Sequence, residues 1–195
     1  MKKMIVMAAV ALMTAMGVQA QKHEIGISYG ELSNSTWQSM GEDLGTIMGS
    51  LGTVRYDDGN VFGAVGLEYF YHVSPLIGVG AIATYTRETK DMYFKDDKCG
   101  EASNTFITVL PAVKIDWLRK KYFGMYSKAA VGVTLTSKKE DYTDASNKDI
   151  SESNVDFNWQ ASLLGIEAGS PNIRAFVELG VGEQGVFVGG LRCKF

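Results

Sequence analysis

Val186–Phe195 reads VFVGGLRCKF, and its side chains divide into two sets. Phe187, Gly189, Leu191, Cys193 and Phe195 share one face, and Val188, Gly190, Arg192 and Lys194 share the other. Successive side chains of a strand point opposite ways, so this is an alternating strand. Seven more segments alternate: His23–Leu32, Val61–His72, Leu76–Thr86, Thr105–Trp117, Tyr122–Leu135, Asp156–Ala168 and Ile173–Gly182. Most reach the roughly 9–11 residues that a tilted strand needs to cross a bilayer. The expected fold class is all-β.

One face of each segment is nearly free of charge, as in Ile25, Ile27, Tyr29; Val65, Leu67, Tyr69; Ile107, Val109, Val113; and Ala175, Val177, Leu179. The other face mixes glycine and threonine with Glu68, Lys114, Lys128, Glu178 and Arg192. A soluble barrel would turn the apolar face inward and leave a solvated surface with few charges. A transmembrane barrel turns it to lipid and fills a narrow lumen with small and polar residues. The aromatics favour the second arrangement. Tyr69, Tyr71, Trp117, Phe123 and Phe195 gather at one set of strand ends, and Tyr29, Tyr85, Phe157 and Trp159 at the other, as two girdles. Ser33–Asn60, Arg87–Asn104 and Thr136–Val155 are long and hydrophilic, whereas Val73–Pro75, Leu118–Lys121 and Gly169–Asn172 are tight. Long loops outward and short turns toward the periplasm suit an eight-stranded antiparallel up-and-down barrel; the short Glu183–Gly185 connector is the exception.

Met1–Ala20 has the form of a secretory signal peptide: Lys2 and Lys3, the apolar run Met4–Val18, and Val18-Gln19-Ala20 as a small-residue cleavage site. The mature chain then starts at Gln21, and losing two lysines takes the formal charge from −3 to −5. With 22 glycines, 3 prolines and no linker or repeat, residues 21–195 are expected to be one domain. No later apolar run has the length of a membrane helix, which leaves a closed barrel as the way to satisfy the backbone in lipid.

Two positions strain the pattern. Glu167 falls on the apolar face unless a β-bulge near Leu164–Gly165 turns it inward. Pro111 cannot donate within its strand, which predicts a bulge or an unpaired carbonyl opposite it.

The stretches Val109–Thr134 (VLPAVKIDWLRKKYFGMYSKAAVGVT) and Leu164–Phe195 (LGIEAGSPNIRAFVELGVGEQGVFVGGLRCKF) resemble small eight-stranded outer-membrane proteins of the OmpX and OmpA-barrel type. They are closer still to the outer-membrane β-barrel family common in Bacteroidales. The resemblance covers essentially the whole mature chain and is architectural. It implies a Gram-negative outer-membrane location among lipids and lipopolysaccharide. Gly190 and the terminal Phe195 resemble the signal through which the C-terminal strand engages the barrel-assembly machinery. It implies no catalytic residue and no cofactor; a monomer is expected, and no nucleic-acid partner.

Counting from the short-turn ends, Glu68, Lys114, Lys128, Glu178 and Arg192 reach similar heights inside the barrel, with Arg174 and Glu167 nearby. An eight-stranded barrel has room only for its own side chains, so these charges must pair into a plug. A gate or proton path is the rival function for charges at that depth. The plug predicts that Glu68→Ala destabilises the barrel more than Lys194→Ala. It also disfavours a porin-like diffusion pore.

A lipid-modifying enzyme or protease needs an activated nucleophile or acid–base pair near the outer rim. The two histidines, His23 and His72, both fall at the opposite end, where terminal polar residues are the plainer reading. Metal spacing with His or Cys is missing, and the Asp57/Asp58 and Asp96/Asp97 pairs are weak Ca²⁺ signals. Cys99 and Cys193 lie at opposite ends, too far apart for a disulfide. Cys193 is expected to face lipid, and Cys99 is the one free to meet another chain. Within Ser33–Asn60, Trp37, Met40, Leu44, Ile47, Met48 and Leu51 recur at helical spacing behind a cap at Asn34, Ser35 or Thr36. Glycines at 41, 45, 49 and 52 argue for an irregular loop instead. The expected role is structural, adhesive or surface-ligand binding; a lipid-modifying enzyme, a protease or a soluble ligand-binding barrel is the alternative.

Overall fold

A computed structural model describes residues 22–39, 41, 54–94, 97–142 and 150–195. The expected signal peptide Met1–Ala20 lies outside them, as do Met40, Leu44, Ile47, Met48 and Leu51 of the proposed helix. Eight strands close into one barrel, each antiparallel to its neighbours in chain order. They are β1 (His23–Glu31), β2 (Val54–His72), β3 (Ile77–Phe94), β4 (Asp97–Arg119), β5 (Phe123–Tyr142), β6 (Ile150–Gly169), β7 (Ile173–Gly182) and β8 (Phe187–Lys194). The terminal strand that opens the sequence argument completes the ring by pairing with β1, from Glu24↔Lys194 to Glu31↔Phe187.

The two faces resolve as inside and outside. Val109 is 50% exposed and Val177 61%, whereas Glu68 and Arg192 are fully buried. This inverts a soluble barrel, so the soluble alternative is corrected: the apolar face does not form the interior. Among the described residues the interior holds an apolar cluster of Phe70, Ile82, Leu110, Ala112 and Ala130, on adjacent strands β2 to β5.

The long connectors are corrected. Most of Arg87–Asn104 and Thr136–Val155 is strand, with β3 running to Phe94, β4 starting at Asp97, β5 running to Tyr142 and β6 starting at Ile150. Their sequence is polar on both faces, which hides alternation, but antiparallel partners satisfy the backbone there as well as they do lower down. Strands β2 to β6 therefore hold 18 to 23 residues, about twice the bilayer-crossing length. Strands β1, β7 and β8 hold only 8 to 10. One side of the barrel thus rises as a five-stranded sheet past the rim of the other.

The bulge sits one residue earlier than expected. Ser162↔Gly180 is followed by Leu164↔Leu179, and Tyr126↔Gly165 by Lys128↔Ser162, so the extra residue falls at Leu163–Leu164. Its effect is the expected one: Glu167 points inward and is buried. Pro111 brings no bulge. Bridging between β4 and β5 lapses at Leu110 and Pro111, then resumes at Ala112↔Ala130 in unchanged register.

Candidate functional site

All five charges expected inside are buried in the lumen, and the register brings them into ion-pair contact. Lys128 Nζ bridges Glu68 (2.7 Å) and Glu178 (2.8 Å). Arg192 is the hub. It donates to Glu68 at 2.8 Å and Glu167 at 3.0 Å, lies 3.6 Å from Glu24, and stacks its guanidinium 4.3 Å from the Phe176 ring centroid. Lys114 instead meets Glu24 at 2.7 Å and Asp116 at 3.2 Å, one layer nearer the short turns. Arg174 pairs with Glu167 at 2.6 Å. Tyr126 fills the space between the layers: its hydroxyl donates to Glu178 at 2.6 Å, and Lys114 sits 4.4 Å over its ring. Opposite Tyr126, Gly165 leaves the ring its room, since a Cβ there would overlap it.

Several members were missed: Glu24, Tyr126, Asp116, His72 and Lys194. Parity was the signal available. Glu24 shares the inner face with Gly26, Asp116 with Lys114, and His72 with Glu68. Two expectations need correcting. His72 is a buried lumen residue bonded to Glu24 at 2.7 Å, not a solvated terminal one. Lys194 is not an outlying control, because its ammonium contacts both Glu24 (2.9 Å) and Glu167. Lys194→Ala is therefore expected to cost stability comparable to Glu68→Ala, since each leaves buried opposite charges unpaired. Urea midpoints of the two refolded variants measure this directly. Glu24, Glu68, Asp116, Glu167 and Glu178 oppose Lys114, Lys128, Arg174, Arg192 and Lys194, five against five, so the layer is neutral when His72 is.

At the long-loop end the chain leaving β1 folds back over the mouth. Residues 34–39 are helical, and the N-cap is Ser33 rather than Asn34, Ser35 or Thr36. Its hydroxyl accepts from Thr36 N at 3.2 Å, and its carbonyl from Trp37 N at 3.0 Å. Ser35, Thr36 and Ser39 are buried, whereas Trp37 is outside. Glu183, in the connector beyond β7, holds this turn. Ser35 donates to it from Oγ (2.7 Å) and N (3.1 Å), Asn158 at 2.7 Å and Thr108 at 3.1 Å. No cation meets that carboxylate among the described residues, and burial pushes its pKa up against these hydrogen bonds. A raised carboxylate stabilises the fold fully below the ordinary carboxylate range, and that contribution is lost as pH rises through the raised value. In urea titrations the wild type is expected to gain stability relative to Glu183→Gln as pH falls toward the ordinary carboxylate range. Parallel profiles would remove Glu183 as the source.

Of the residues in the terminal signal, Gly190 lies opposite Ser28 on β1 and Phe176 on β7. Phe195 exchanges two backbone hydrogen bonds of 2.9 Å with His23 and stacks on its ring at 5.6 Å. Cys193 is half-exposed and pairs with Ile25 and Ile173. The side chains of Cys99, Asp57, Asp58, Asp96 and Asp97 lie outside the described residues.

No family model matches the chain, and no curated protein does. Solved structures similar to it include two of one protein. The crystal structure of Ail, the attachment invasion locus protein of Yersinia pestis, shares 15% identity at a TM-score of 0.48, covering 91% of this chain and all of Ail. The same protein in complex with the heparin analogue sucrose octasulfate shares 16% at 0.47, covering 90% of this chain and 97% of Ail.

Proposed function

We propose that this chain is an integral outer-membrane barrel with a sealed lumen, which makes surface contacts through the sheet standing above its rim. The membrane assignment rests on the barrel's apolar exterior around a polar interior with a layer of paired charges, since the reverse distribution is needed in water. Lipids and lipopolysaccharide then surround the wall. The C-terminal strand, placed at the closing seam, is the segment offered to the assembly machinery, and the barrel works as a monomer.

The contact role is carried by one observation. Strand β6 meets β7 only from Gln160↔Gly182 onward, so Ile150–Trp159 has a strand partner on one side alone among the described residues. An unpaired strand edge accepts an extended segment of another protein, with backbone bonds giving affinity and side chains giving selectivity. Val155 (64% exposed) and Phe157 (73%) flank that edge on the outer surface. Cells displaying the full chain are expected to adhere to protein-coated surfaces, and the double variant Val155→Lys, Phe157→Lys to fall to background. Lysine on the outer face near the membrane interface costs about 0–1 kcal/mol per site, so folding survives. Unchanged adhesion by the double variant would remove the edge from the account.

The lumen is proposed to be structural. In planar bilayers the purified barrel is expected to give no steady large openings, because ion pairs and the Ser33–Ser39 turn occupy the bore at two heights. Sustained conductance would favour the pore or gate.

A further inference from the structure

Among the described residues, one group of side chains is arranged as metal ligands are. Glu24, His72 and Asp116 are all buried, and one ligand atom from each lies within 4.8 Å of the others. The ion-pair layer already uses most of their atoms. Lys114 takes Glu24 Oε2 at 2.7 Å and stands 3.2 Å from Asp116 Oδ1. Glu24 Oε1 faces His72 Nε2 at 2.7 Å and Lys194 at 2.9 Å. One oxygen is left over. Asp116 Oδ2 is buried and accepts no hydrogen bond, although it stands 3.5 Å from His72 Nδ1.

With Nε2–H donating to Glu24, a neutral imidazole turns its Nδ1 lone pair toward that oxygen. Two lone pairs then face each other, an arrangement that a proton or a metal cation between them satisfies. Arg119 Nη1 is 3.4 Å from Nδ1, and the same nitrogen also reaches the Pro75 carbonyl at 3.4 Å. Zinc bonds to imidazole nitrogen and carboxylate oxygen of about 2.0–2.2 Å put neighbouring tetrahedral ligands about 3.4 Å apart. The observed separation is close to that bite.

We propose that His72 Nδ1 and Asp116 Oδ2 bind a divalent first-row transition-metal ion at the short-turn end of the lumen, with water completing its coordination. Glu24 then holds the imidazole through Nε2–H, the carboxylate–histidine–metal arrangement that fixes tautomer and ring orientation. An imidazole–carboxylate pair selects zinc-like ions over calcium or magnesium, which prefer oxygen-only sets. Gly78 gives the ring its space, since a Cβ there would stand 3.3 Å from His72 Cε1. With two protein ligands and Lys114 and Arg119 close by, the affinity is modest and Arg119 competes with the ion.

The test uses the untagged mature chain refolded in detergent and titrated with Co²⁺, followed by its visible absorption, with Zn²⁺ as competitor. One Co²⁺ per chain is expected, displaced by Zn²⁺, weakened at least tenfold by His72→Gln and Asp116→Asn, and unaffected by His23→Asn. Arg119→Ala removes the competing guanidinium and is expected to tighten binding several-fold. A wild type with no saturable Co²⁺ spectrum would overturn the site. So would affinity unchanged in His72→Gln, affinity that follows His23, or affinity lowered by Arg119→Ala.

Discussion

Arg192→Met is expected to destabilise the barrel by about 3–5 kcal/mol, the usual cost of removing one partner from a buried ion network. The guanidinium serves Glu68 and Glu167 directly and lies within 3.7 Å of Glu178 and 3.6 Å of Glu24, so its loss leaves excess negative charge in a buried space of low dielectric. Methionine keeps much of the volume against Phe176 and Tyr126, which separates the charge effect from a packing loss. Urea unfolding of the refolded barrel, read by the heat-modifiable gel shift and tryptophan emission, measures it. The double variant Arg192→Met, Glu167→Gln restores neutrality and is expected to recover part of the loss, because neighbours in one network are not additive. A loss under about 1 kcal/mol for Arg192→Met would mean that Lys114, Lys128, Lys194 and Arg174 suffice to hold the five carboxylates together.

Gly190→Ala is expected to cost about 3 kcal/mol or to prevent closure, at the upper end for inserting one methyl into a packed site. A Cβ on Gly190 would overlap the Ile27 carbonyl oxygen and stand 2.7 Å from Phe176 Cζ. The first clash is with backbone of β1, so it is relieved only by parting the two strands that complete the ring. The expected result is a slow or absent compact band on gels after refolding. By contrast Gly189→Ala, whose Cβ meets nothing closer than 3.9 Å, is expected to refold as the wild type does. Equal refolding of the two variants would remove the steric role of Gly190.

The interior was legible to the extent that parity reached it. Period-two alternation assigns Glu68, Lys114, Lys128, Glu178 and Arg192 to one face, and the burial of each agrees. Glu24, Lys194 and His72 were readable by the same rule but lie at strand ends, where a segment's boundary decides whether a residue counts as wall or as rim. Which acid meets which base was not legible. Register and strand tilt set that, and a one-residue bulge at Leu163–Leu164 decides whether Glu167 reaches Arg192 at all. The outward extension of β3 to β6 was also hidden. Above the apolar band the sequence is polar on both faces, so no apolar alternation marks strands that their neighbours' hydrogen bonds hold in place.

Alternation, turn residues and the charge-poor face determine by themselves that this chain makes eight antiparallel strands with lipid-compatible side chains on one surface, because those are properties of single strands. The ion-pair partners, the Glu183–Ser35 latch across the mouth, the open edge of β6 and the approach of His72 Nδ1 to Asp116 Oδ2 were decided only in three dimensions. Most join residues of different strands, as Ser35 and Glu183 do across 148 positions, or depend on where a neighbouring strand stops. No local pattern carries that information: the closed ring sets the separations, and low-dielectric burial then enforces the pairing.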